Sequence, residues 1–111
     1  MDIYFRTKKL QKICSEEKEM QKQLGMKCAE KLKQRMMELK AADALSDISH
    51  LPPSRCHELS GKRARQFSVD IEQPYRLLFV PTNNPIPRLK DGGIDKQRVT
   101  EIEIIEITDT H

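Results

Sequence analysis

A chain of 111 residues, 37% hydrophobic and 33% charged with no tryptophan, has the makings of one domain with a modest core. Its net charge of +3 mildly favours an anionic partner. No apolar run approaches the roughly 20 residues a bilayer span needs, Met1–Leu10 is polar, and three cysteines form no close pair. A membrane protein, a secreted precursor and a disulfide framework are therefore not expected, and the chain reads as cytoplasmic with reduced thiols.

In chain order, Asp2–Phe5 is a short β-prone run, and Thr7 can cap a helix beginning at Lys8. From about Lys8 to Gln23, Leu10, Ile13, Cys14, Met20 and Leu24 fall near helical spacing, and Gly25 punctuates the pattern. A second helix is expected from about Met26 to Ala44, with Ala29, Leu32, Met36 and Leu39 on one stripe. The two form a helical hairpin that needs a sheet to cover its apolar face. The charges along them, Lys8, Lys9, Lys27, Lys31, Lys33 and Arg35 among them, read as a solvated face or as contacts to a nucleic-acid backbone. Met26, Met36 and Met37 read as core or as partner interface.

Leu51-Pro52-Pro53 forces an extended connector. Beyond it, His57 is a side chain that changes charge near neutral pH, and Gly61 is followed by Lys62, Arg63 and Arg65. Phe67, Val69 and Ile71 alternate with Gln66, Ser68 and Asp70, the period of a half-buried strand. Glu72-Gln73-Pro74 turns the chain into a second strand, Tyr75–Val80, carrying Arg76. Residues 51–100 hold nine Lys/Arg against five Asp/Glu, so the basic character is central. Pro81–Arg98 is long for a strand connection, most of which run about 4–6 residues. It reads as an exposed loop or as a basic finger bearing Arg88, Lys90, Lys96 and Arg98. In Val99–Thr108, Ile102 and Ile104 share one face and Ile105 and Ile107 the other, as in a central strand covered on both sides. Alternation also puts Asp109 and His111 on one face, where a carboxylate could orient an imidazole and raise its pKa. A frayed polar terminus is the other reading.

A basic cluster at a strand entrance, a nearby imidazole and an arginine on the adjacent strand suit a polyanion that is to be held or cut. Arginine suits a phosphate because its fork can bond two oxygens at once. For Arg76 the alternative is an ion pair with Glu103 or another strand carboxylate. His50, Cys56 and His57 are too scattered for a metal, no nucleotide-binding or hydrolase motif is present, and no cofactor is expected.

HELSGKRARQFSVDI followed by YRLLF resembles the centre of the HigB-type toxins, the plasmid-maintenance killer branch of the RelE/ParE superfamily. That pattern is His-x-Leu-Lys-Gly, basic residues, an aromatic-Ser-Ile strand and an aromatic-Arg-hydrophobic strand. Ile107-Thr108-Asp109-Thr110-His111 also resembles the family's Asp-Tyr-His ending. Two positions depart from it: Ser60 stands where the family usually has Lys, and Thr110 where it has Tyr.

The resemblance implies a single α+β, RelE-like domain over residues 1–111, with an N-terminal strand and a two-helix hairpin packed on a small, mainly antiparallel sheet. It implies a type II toxin that cleaves mRNA in the ribosomal A site and inhibits translation. The implied partner is a HigA-like helix-turn-helix antitoxin, with operator DNA reached only through it. By position it assigns catalysis to His57, Arg65, Arg76, Asp109 and His111, and RNA binding to Lys62, Arg63, Arg88 and Lys90. The rival readings are a ParE-like, non-enzymatic inhibitor of DNA gyrase and a degenerate RNA-binding or corepressor module.

Overall fold

A computed structural model describes residues 1–109. The order is β1 (Asp2–Phe5), α1 (Lys8–Ser15), α2 (Glu17–Leu24), α3 (Met26–Ala41), β2 (His57–Glu58), β3 (Phe67–Asp70), β4 (Tyr75–Pro81) and β5 (Glu101–Asp109). The five strands form one sheet in the order β1-β5-β4-β3-β2, with β1 parallel to β5 and the other pairs antiparallel. The α+β class and the mainly antiparallel sheet are as expected from the sequence. No helix among the described residues is long and apolar enough to cross a membrane.

The first expected helix is two. Glu16 is extended, at φ −113° and ψ 114°, and interrupts the ladder for one residue. The reason lies in phase: Met20 is six residues beyond Cys14, so a continuous helix would carry it about 120° off the Cys14 stripe. The break returns it to the core, where Cys14 and Met20 are both buried. Thr7 caps α1 by accepting the Leu10 N–H at 3.0 Å. Gly25, at φ 80°, joins α2 to α3 in a backbone state that side chains disfavour. α3 stops at Ala41 rather than Ala44, because Ala42 turns extended and Asp47 Oδ2 takes up the N–H groups of Asp43 and Ala44.

Leu32, Met36 and Leu39 of α3 pack with Phe67, Val69, Leu77, Phe79, Ile102 and Ile104 from one face of the sheet. Phe67 and Phe79 stack at 6.0 Å between centroids. The expectation for β5 needs correction. Phe79 pairs with Ile104 but Leu78 with Glu106, so Ile105 is the extra residue of a bulge. Beyond it the alternation is re-phased, and Ile107 joins Ile102 and Ile104 on the core side. Glu106 and Thr108 thereby fall on the outer face.

Arg35, grouped by sequence with the surface cations, is 4% exposed. Its Nε donates to the Asp70 carbonyl at 2.8 Å and its Nη1 to both Glu38 oxygens at 2.8 and 2.9 Å. Ser54 Oγ donates to Glu38 at 2.9 Å, and Asp70 N donates to the Ser54 carbonyl at 2.8 Å. A closed ring of bonds thus ties α3, the connector and β3 together.

The segment after β4 is mostly exposed, and it is shaped. Arg88 bridges Ile94, and Ile94 is buried in the core. At its base the Asn83 side-chain oxygen accepts the N–H groups of Thr100 and Glu101.

Burial pushes the Glu38 carboxyl up, but hydrogen bonds from Arg35, Gln34 and Ser54 outweigh it and hold the pKa below the usual 4.5. The stability it contributes is present above pH 4.5 and is lost as pH falls through the lower folded value. Glu38→Gln should cost about 2–3 kcal/mol at pH 7, between an exposed and a fully buried pair. Urea melts at pH 7 and pH 3 check this: the gap between wild type and variant should shrink at pH 3, and a constant gap would contradict the assignment.

Candidate functional site

The hairpin β3–β4 sets the outer face of the sheet. Its register pairs Ser68 with Leu78 and Asp70 with Arg76, while β2 adds His57 opposite Ser68. Continued into β5, one row reads His57, Ser68, Leu78, Glu106 and the next reads Asp70, Arg76, Thr108. Paired residues share a face, so imidazole, arginine and carboxylate meet on the side away from the helices.

Asp70 is the hub. It is 5% exposed, with Arg76 Nε 3.3 Å from Oδ1 and Arg55 Nη1 3.3 Å from Oδ2. The Arg76 contact is a close Coulombic one that does not meet hydrogen-bond geometry. Arg76 is 8% exposed and its Nη1 lies 3.4 Å from His57 Nε2. His57 Nδ1 sits 3.1 Å from the Arg55 carbonyl. With the proton on Nδ1, that nitrogen donates to the carbonyl and Nε2 presents its lone pair toward Arg76. This is the arrangement of a neutral base nitrogen beside a fixed cation.

The basic turn lies next to this row. A 3₁₀ turn over Gly61–Arg63 is closed by Leu59 N to Gln66 O at 2.8 Å. Arg63 reaches back over the sheet to Glu106 at 3.0 Å. Lys62 and Arg65 are exposed and carry no ion pair among the described residues. Arg65 and Arg55, at φ 71° and 48°, are the only non-glycine residues of the described chain at positive φ. The two left-handed residues therefore flank His57 on either side in sequence.

The sequence-named residues divide accordingly. His57 and Arg76 touch, and Arg63 spans the same face. Arg88 is exposed with one nitrogen engaged in its own hairpin, Nη1 donating to the Gly92 carbonyl, and its own carbonyl accepts from Arg98. Lys90 stands exposed at that hairpin's tip, and neither residue contacts His57 or Arg76. Asp109 pairs with Tyr75, so by register its side chain starts on the side of Leu77 and Ile107, opposite to Arg76. His111 and Thr110 lie outside the described residues. Ser60, the first departure, precedes the 3₁₀ turn and is exposed.

Sequence reasoning named none of Asp70, Arg55 and Glu106 as site residues, although an ion pair of Arg76 with a strand carboxylate was one of its readings. For Asp70 a signal existed, since a hairpin centred on Gln73 places it directly opposite Arg76. Glu106 was hidden by the bulge. Among the described residues no cluster of His, Cys, Asp and Glu could hold a metal. A cleft of about 770 Å³ lies on the other side, between Ile13, Leu24, Met26, Tyr75 and Ile107. Its one carboxylate, Glu72, is bound to Lys31 at 2.7 Å, and that cation holds its pKa low. The imidazole and the arginines paired with Asp70 are on the outer face.

Residues 3–90 match the model of a family described as the RelE-like toxin of the type II toxin–antitoxin system HigB. The chain belongs to this HigB-like toxin family. It is thus a toxin of a type II toxin–antitoxin system, with an antitoxin as its partner. Among solved structures it resembles a YoeB/ParE toxin from Agrobacterium tumefaciens, with a TM-score of 0.60 and 13% identity, each chain covered in full. At that identity the likeness is one of fold. No curated protein sequence matches the chain.

Removing the hub's charge takes a close anionic partner from a buried cation. Asp70→Asn should destabilise the toxin by about 3 kcal/mol, and adding Arg76→Gln should recover a large part of it. Denaturant melts of the two singles and the double check this, and strictly additive losses would contradict a direct pair.

Proposed function

We propose that this toxin is a metal-independent endoribonuclease that cuts mRNA in the ribosomal A site and is neutralised by a HigA-like antitoxin. The observation that carries the reading is the contact between His57 and Arg76 on a face bordered by Arg55, Lys62, Arg63 and Arg65. His57 Nε2 accepts the 2′-OH proton once the RNA displaces the weak Arg76 contact. The 2′-oxygen attacks the adjacent phosphorus, and arginine N–H groups stabilise the added charge. Protonation of the leaving 5′-oxygen is assigned to His111, and Asp109, whose side chain starts on the opposite side of β5 from Arg76, takes no part in that step. The product ends are a 2′,3′-cyclic phosphate and a 5′-hydroxyl. Arg65 and Lys62, exposed on the basic turn, and Arg63 hold the flanking backbone. Arg88 is assigned to shaping the outer hairpin, and Lys90 at its tip to RNA or ribosome contact.

A second reading has a specific observation behind it. Asp70 neutralises Arg76 and Glu106 engages Arg63, so two of the candidate cations are paired within the chain. That would suit a ParE-like toxin that binds gyrase and cuts nothing.

Purified toxin added to ribosomes programmed with mRNA separates the two. The nuclease account expects cleavage in the A-site codon, with His57→Gln slower by about 10²-fold or more, and unchanged gyrase supercoiling. Intact mRNA together with blocked supercoiling would replace it with the gyrase reading.

A further inference from the structure

The two arginines on Asp70 differ in how far they reach. The Arg76 side chain is 9% exposed, so a phosphate can meet it only by entering the sheet face. The Arg55 side chain is 45% exposed, and just one of its nitrogens, Nη1, is engaged by Asp70 Oδ2. A guanidinium has five N–H donors in a planar fork, so one such contact leaves donors pointing outward. Arg55 also lies against the candidate base, because its own carbonyl is the partner of His57 Nδ1 at 3.1 Å.

The backbone is built to hold it there. Arg55 adopts φ 48°, which costs a non-glycine residue about 1 kcal/mol or more. The bonds Arg55 N to Leu51 O at 3.0 Å and Cys56 N to Ser49 O at 2.9 Å fix that turn. Next to it, Asp70 N holds the Ser54 carbonyl at 2.8 Å, so the connector runs alongside β3 before β2 formally begins. The left-handed residue brings Nη1 to Asp70 while the rest of its side chain stays open to solvent.

We propose that Arg55 is a further phosphate ligand of the reaction site, positioned by Asp70 so that RNA meets Arg55 first and Arg76 behind it. The proposal rests on the RNA-cleaving reading of this face. Its physical content is a cation pair sharing one carboxylate: Asp70 offsets part of the repulsion between the arginines and sets their spacing, and the phosphate supplies the second anion.

The test uses the full toxin and ribosomes programmed with two mRNAs. Both carry a 2′-deoxy A-site codon, so neither is cut, and one has a neutral methylphosphonate at the target linkage. Affinity is measured for wild type, Arg55→Ala and Arg55→Gln, each first confirmed folded by its thermal melt. On the charged linkage Arg55→Ala and Arg55→Gln are expected to weaken binding about 10-fold, and on the neutral linkage less than about 2-fold, because the lost contact is with that phosphate. A purely structural role would weaken both equally. On cleavable mRNA the same variants should lower the cleavage rate. Equal losses on the two linkages, or none on either, with wild type binding and cutting normally, would overturn the assignment while leaving the nuclease reading intact. A wild type that neither binds nor cuts would overturn that reading, and the assignment with it.

Discussion

The structure depends on the ion pair between Asp70 and Arg76, together with the ring of bonds that holds Asp70 in place. Through its carbonyl and amide Asp70 is tied to Arg35 and Ser54, and these meet at Glu38. Through its carboxylate it fixes Arg76 and Arg55. One residue thus links the helical layer, the connector and the hairpin to the two cations nearest His57. A buried charge is costly unless paired, so each member demands the others. That mutual demand gives the outer face of a small sheet one arrangement of its polar groups.

The hairpin was legible because period-2 alternation around Glu72-Gln73-Pro74 leaves little choice of register, and Thr7 and Gly25 mark their helix ends as cap chemistry predicts. Two features were not, and both are single-residue slips. Glu16 re-phases the first helical arm, and Ile105 re-phases β5. Each restores apolar residues to the core where simple periodicity would have turned them out. Tertiary burial decides such slips, and a one-dimensional pattern records only their cost. Arg35 escaped for a related reason: on a helix rich in lysine it looks like surface, and only the docked Asp70 carbonyl and Glu38 make its burial tolerable.

The candidate site was legible in type and incomplete in geometry. His57 and Arg76 were visible as residues, and the resemblance placed them in one family pattern. The carboxylate between the arginines was visible only as a strand residue. Net charge is also a poor guide here. Asp70 and Glu106 cancel cations within the outer face, while Lys62, Arg65 and the outward part of Arg55 keep theirs. The field an RNA would meet comes from these edge residues more than from the total of +3. Ser60 removes one further cation from the family pattern, and the arginines beside it are the groups able to stand in.

If the His57–Arg76 face cuts translated RNA, the cuts are readable as new mRNA ends. Mapping mRNA 5′ ends across the transcriptome after inducing the toxin in growing bacteria, beside an Arg76→Ala form, tests it most directly. The account predicts new 5′-hydroxyl ends inside reading frames, at a fixed codon phase, absent from the variant. Growth arrest with mRNA ends unchanged from uninduced cells would contradict it.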